Sequence, residues 1–249
     1  MGCLPYDITI KFYSWIAAII YISIIAILFF IKMTKAPKEV KSQKVMYRSI
    51  ALFLCFYIGV RIFFLFSDFE RDANCESVLY FQFVFLGYIC SIIAFLSIIN
   101  FGETYVIRQT KHIFSYIIII STIIDFLAVI FFPNLVNYVL ESKYGSNYNQ
   151  AQYEKTVIEV ATIVRYFNYS IQYSQIFIIL GLYLYLTMKS TGRIRRNSLI
   201  TLIGLAISAA AAFLETDALL SSGLIPPFLS PIILCVGLTI FTFAYLRTI

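Results

Sequence analysis

The stretch IFSYIIIISTIIDFLAVIFF, Ile113 to Phe132, contains one charged side chain, Asp125, in twenty residues. Coiled as an α-helix at about 1.5 Å per residue it is about 30 Å long, the thickness of a bilayer's hydrocarbon core. A segment crossing that layer must satisfy its own N–H and C=O groups, which an isolated strand cannot do. Six further stretches have similar length and character, at about residues 8–31, 49–66, 77–99, 157–188, 198–220 and 227–246. The fifth is most apolar from Ile163 to Met188, behind an amphipathic lead-in from Val157 to Arg165. No alternating ten-residue strands of an outer-membrane barrel occur. The expected fold is all-α: a single integral membrane domain, residues 1–249, built as a seven-transmembrane-helix bundle.

The composition agrees. Of 249 residues, 61% are hydrophobic and 13% charged, against about 25% charged in a soluble domain, and the mean hydropathy is +0.86. The pI near 9.0 does not indicate nucleic acid. The basic residues sit in short connections between apolar segments, a pattern that belongs to membrane topology. The partner the sequence names most directly is the lipid bilayer, and the expected location is the cell membrane, crossed several times.

Orientation follows from those same residues. One set of connections holds Lys32, Lys35, Lys38, Lys41, Lys44 and Arg48, then Arg108 and Lys111, then Lys189, Arg193, Arg195 and Arg196, with Arg247 at the end. The opposite set holds only Arg71, Lys143 and Lys155, among Asp68, Glu70, Asp72, Glu76, Glu141 and Glu154. The positive-inside rule places the first set in the cytoplasm, so the N-terminus is expected outside and the C-terminus inside. The inner loops are short, which leaves a cytoplasmic or membrane protein partner as the expected receiver of any signal. The longest outer connection, Pro133 to Lys155, is rich in Tyr, Asn and Gln and reads as a partly ordered cap with a turn at Gly145-Ser146-Asn147.

Several chemistries are excluded. The single histidine, His112, has no neighbouring acid or thiol and makes no metal site. No Gly-rich phosphate loop, nucleophile elbow or paired-His motif is present, and no nucleophile–base pair marks an enzyme. The last helix, 227–246, has no lysine for a retinal Schiff base, so no retinal and no other cofactor is expected. Met1-Gly2-Cys3 superficially suits acylation, but Tyr6 stands where that signal needs Ser or Thr, and no cleaved leader is expected. Cys55, Cys90 and Cys235 read as packing residues, whereas Cys3 and Cys75 both map outside, where a disulfide is allowed.

Ionisable groups inside a bilayer raise a functional hypothesis by default. Arg61, Asp125, Arg165 and Glu215 lie on four different helices, seven or eight residues below the expected outer ends. That spacing puts all four about 10–12 Å beneath the surface. Each isolated charge costs on the order of 3 kcal/mol there, so mutual contact is the expected arrangement, with Arg61 paired to Asp125 or Glu215. Tyr88, Asn168 and Gln172 are placed to complete the network as ligand-binding residues. The layer serves either to hold the bundle together or to line a cavity open to the outside. Gly204, Ser208 and Ala212 on the sixth helix, at four-residue spacing, point to close helix packing.

Gly223-Leu224-Ile225-Pro226-Pro227, Pro231 and Phe243-Ala244-Tyr245-Leu246-Arg247 resemble the close of the seven-helix sensory regions of microbial histidine kinases. The chain departs from that pattern in having no kinase after Ile249. The resemblance implies a stand-alone sensor that signals through a partner, and it carries over no functional residue. The leading expectation is therefore a receptor-like protein that takes a small polar ligand from outside. A small-molecule or proton-coupled transporter is the first alternative, although no internal repeat supports it. A structural or scaffold subunit of a membrane complex is the second.

Overall fold

The computed structural model describes residues 8–36, 41–74, 77–214, 226 and 228–246. Among these residues the chain is all-helical, with seven α-helices. They are α1 (Ile8–Lys35), α2 (Lys41–Asn74), α3 (Val78–Tyr105), α4 (Ile113–Tyr144), α5 (Gln150–Lys189), α6 (Gly192–Leu214) and α7 (Leu229–Leu246). A single 3-10 turn, Arg108–Thr110, leads into α4. Five of the seven, α1 to α5, are long and apolar enough to cross a membrane. Their exposed surfaces are correspondingly apolar: on α4, Ile117, Ile120, Ile124 and Phe131 all face outward. This is a membrane-embedded, multi-helix protein.

The helices outrun their apolar cores, most of all where the outer cap was expected. Between Pro133 and Lys155 the structure has helix, with only residues 145–149 as a turn. The reason is a packed seam. Phe132, Val136 and Leu140 repeat every four residues on α4 and are buried in one cluster with Val157, Val160, Ala161 and Val164 of α5. Pro133 sits inside α4, where it removes one backbone donor without disturbing that stripe. The turn is capped on both sides. Gly145 takes φ 70° and donates its N–H to Glu141 O at 3.0 Å. Asn149 and Gln152 exchange side chain-to-backbone hydrogen bonds of 2.9 Å in a capping box at the start of α5. At about 1.5 Å per residue α4 is about 48 Å long and α5 about 60 Å, both longer than the hydrocarbon layer.

The most enclosed spanning helix is α3. It packs on α2, α4 and α5, while α2 also packs on α1, and α5 leads to α6, α6 to α7, and α7 back to α1. Glu103, buried near the C-terminal end of α3, fixes the start of α4. Its carboxylate accepts the N–H groups of Phe114 and Ser115 at 2.9 Å each and the Ser115 hydroxyl at 2.5 Å. Those amides belong to the first turn of a helix, whose N–H groups have no partner within it. The acid thus supplies from α3 a cap that His112, at φ 63°, does not provide.

The small residues of α6 lie against α7, as their spacing suggested. A Cβ on Gly204 would stand 2.6 Å from Phe241 N, and one on Gly237 would stand 2.7 Å from Gly204 O. Backbone atoms cannot yield to such contacts, so glycine is required for this approach. Gly204→Ala and Gly237→Ala are predicted to destabilise the purified protein by about 1–3 kcal/mol each. Gly181→Ala, at a helical site with open space around it, is predicted to be neutral or stabilising by up to about 1 kcal/mol. Thermal unfolding in detergent compares the three.

Candidate functional site

The buried stripe of α4 runs Ser115, Ile118, Asp125, Val129, Phe132, Val136, Leu140. From Ile118 to Leu140 every other member of that stripe is aliphatic or aromatic, and Asp125 stands among them. It is 0% exposed. Neither of its carboxylate oxygens receives a hydrogen bond. The side chain that approaches it is Asn168 of α5, also 0% exposed. Asn168 is held by its own helix, its Nδ2 donating to Val164 O at 3.0 Å, and its Oδ1 is buried without a donor. Three acceptor oxygens from two helices are therefore enclosed with no hydrogen bond to any of them, against the strong tendency of buried polar atoms to be paired.

Arg165 stands one turn before Asn168 on α5. It is turned toward α3, where an Nη donates to the Tyr80 hydroxyl at 3.4 Å and the guanidinium lies 5.1 Å from the Phe81 ring centre. Tyr88, also on α3, donates its hydroxyl to that of Tyr169 at 3.1 Å, the rings meeting edge to face at 5.6 Å. Gln172 is half-buried on the next turn of α5. Arg165 and Tyr88 thus belong to the seam between α3 and α5, while Asn168 meets Asp125 of α4.

Arg61 belongs elsewhere. It is buried between α1 and α2, its guanidinium 3.8 Å from the ring centre of Trp15 and 5.0 Å from that of Tyr57, whose hydroxyl accepts from Nη2 at 2.5 Å. A cation over a desolvated aromatic face gains about 2 kcal/mol, so the aromatic clamp offsets much of the burial cost. Arg61 and Asp125 make no hydrogen bond to each other, and equal depth in the bundle does not bring them together. Glu215, Cys3 and Cys75 lie outside the described residues.

Among the buried polar residues not singled out from the sequence are Gln175 and Glu103. Gln175, one further heptad along α5 from Asn168, donates to Ile92 O at 3.2 Å and keeps a buried Oε1 without a donor. Its seven-residue spacing from Asn168 was the available signal. Glu103 gave none, because its partners are backbone amides of another helix. Among the described residues no group of three His, Cys, Asp or Glu side chains gathers to hold a metal ion.

Comparison with protein families, curated proteins and solved structures finds no match to this chain.

The separation of Arg61 from Asp125 is open to a double-mutant cycle. Arg61→Gln and Asp125→Asn are predicted to change unfolding stability additively, within about 0.5 kcal/mol. A coupling well above that, read from thermal or denaturant unfolding of the two single variants and the double, contradicts the placement. Tyr88→Phe should cost about 1 kcal/mol through the lost Tyr169 hydrogen bond.

Proposed function

We propose that the chain is a seven-span receptor-like protein of the cell membrane that binds a small polar ligand from the outer side in the seam of α3, α4 and α5. In this reading α6 and α7 complete the seven spans, the N-terminus lies outside, and the C-terminus lies inside. Support for the orientation comes from Lys32 and Lys35 at the end of α1, Lys41 and Lys44 at the start of α2, and Arg193, Arg195 and Arg196 at the start of α6. The opposite end carries the exposed Lys143–Glu159 ion pair, 2.5 Å long, between α4 and α5.

The observation that carries the binding reading is Asp125, an acid in the buried stripe of a membrane helix with neither oxygen hydrogen-bonded. An ionisable group in hydrocarbon costs on the order of 3 kcal/mol even on permissive scales. Packing alone is served better by an aliphatic residue at that position. Asn168 approaches it directly, and in this reading Arg165, Tyr88 and Gln172 on α5 and α3 supply further donors and acceptors for a ligand with more than one polar group. A ligand bound between α3 and α5 acts on the helix that leads directly into α6, whose first turn is basic. That turn is the surface through which a cytoplasmic or membrane partner would read the change.

A thermal-shift screen of small polar compounds against the protein in nanodiscs tests this. A true ligand at about 100 times its Kd stabilises the wild type by about 2.7 kcal/mol and leaves Asp125→Asn and Arg165→Gln unmoved. Compounds that stabilise wild type and both variants equally contradict the site. An N-terminal epitope reached by antibody in intact cells fits the orientation, and one reached only after permeabilisation reverses it. Dye-reported proton flux in reconstituted vesicles, if seen, moves the reading to a transporter.

A further inference from the structure

We infer that Arg195 and Arg196, at the start of α6, hold the phosphate of an anionic phospholipid whose acyl chain lies along Leu199, Ile203 and Ala206. The inference rests on the proposed reading of α6 as a membrane span and makes no use of the ligand seam around Asp125.

Both arginines are exposed, and neither makes a hydrogen bond or an ion pair among the described residues. Acids to pair with them are scarce. None occurs in the sequence between Glu159 and Glu215. Glu103 lies at this end of the bundle, where Gly102 of α3 meets Leu182 of α5, but it is buried and committed to the amides of Phe114 and Ser115. The corner is tight: only Ser190 and Thr191 separate α5 from α6, and Gly192 takes φ 58°. The last turn of α5 beside it is also basic, through the exposed Lys189. The described chain thus leaves the complementary anion to be supplied from outside.

Helical spacing selects the class of anion. Leu199 follows Arg195 by four residues and Arg196 by three, and Ile203 and Ala206 continue the same face at intervals of four and three. Leu199 is 43% exposed and Ile203 45%, and Ala206 is exposed as well. The opposite face carries Gly204 and Ser208 against α7. From Arg196 to Ala206 the rise is about 15 Å, the hydrocarbon depth of one leaflet. A pair of cations at the mouth of an apolar stripe of that length matches a phosphate headgroup together with its chain. The guanidinium fork suits two phosphate oxygens at once. An acidic peptide would satisfy the arginines and leave the stripe to a second occupant. A zwitterionic phospholipid brings the chain, but its own cation offsets the phosphate charge.

Fluorescence quenching in vesicles tests the site. The full chain carrying Ile203→Trp is reconstituted in equal parts of phosphatidylglycerol and phosphatidylcholine, with one lipid at a time brominated to quench by contact. Both leaflets carry the same mixture, so the direction of insertion does not matter. The native Trp15 is buried and gives a common background. Two arginines at about 1 kcal/mol each should favour the anionic lipid about 30-fold over the neutral one. Adding Arg195→Gln and Arg196→Gln should reduce that preference to about threefold or less. Quenching by brominated phosphatidylcholine should rise in the same variant, which shows that α6 is still seated in the bilayer. Equal quenching by the two lipids before the arginines are changed, or an undiminished preference afterwards, overturns the inference and leaves the span intact. Absence of quenching by either lipid overturns the span, and the inference with it. Failure of the polar-ligand screen alters none of these outcomes.

Discussion

In hydrocarbon no solvent is present to hydrogen-bond an exposed peptide group, and this constraint governs the architecture. It makes every spanning segment a helix and turns the side chains into the only variable part of the bundle. Aliphatic and aromatic residues then separate into those that face lipid and those that interlock. On α4 the division is nearly complete: Ile117, Ile120, Ile123 and Ile124 face outward, and one narrow stripe, which includes Ile118, faces inward. Polar groups that enter the bundle must find partners among themselves, and the structure can be understood by asking which of them do.

Most succeed. Glu103 takes three donors from the start of α4, Tyr183 and Tyr245 join their hydroxyls at 2.8 Å, and Arg61 is clamped between aromatic rings of α1 and α2. Each ties two helices together where lipid gives no hydrophobic drive to do so. Asp125 and Asn168 break the pattern, with three buried oxygens and no donor for any of them. They lie where α4, the most peripheral of the five spanning helices, meets α5.

The charged residues illustrate how far spacing reaches. Counting along each helix gave Arg61, Asp125 and Arg165 a common depth, but depth is one coordinate of three. Rotation about the helix axis sends Arg61 toward Trp15 and Arg165 toward Tyr80, while Asp125 points to Asn168. The connection between α4 and α5 illustrates the reverse failure. Its polar composition concealed a second helical repeat, Phe132, Val136, Leu140 against Val157, Val160, Val164, visible only once both halves of the hairpin are set side by side.

The sequence by itself determined that this is a bundle of long apolar helices, because hydrocarbon-length runs nearly free of charge leave the backbone no other way to satisfy its hydrogen bonds. It also determined that α6 packs closely on a neighbour, since glycine and serine at four-residue spacing share one helix face; that the neighbour is α7 came from the structure. Tertiary structure alone decided which polar groups meet. Azimuth, helix extension beyond the membrane and the capture of one helix's amides by another's carboxylate depend on neighbours far away in the chain. Asp125 reads in the sequence as one more costly ion. Only packing reveals that the side chain facing it is that of Asn168.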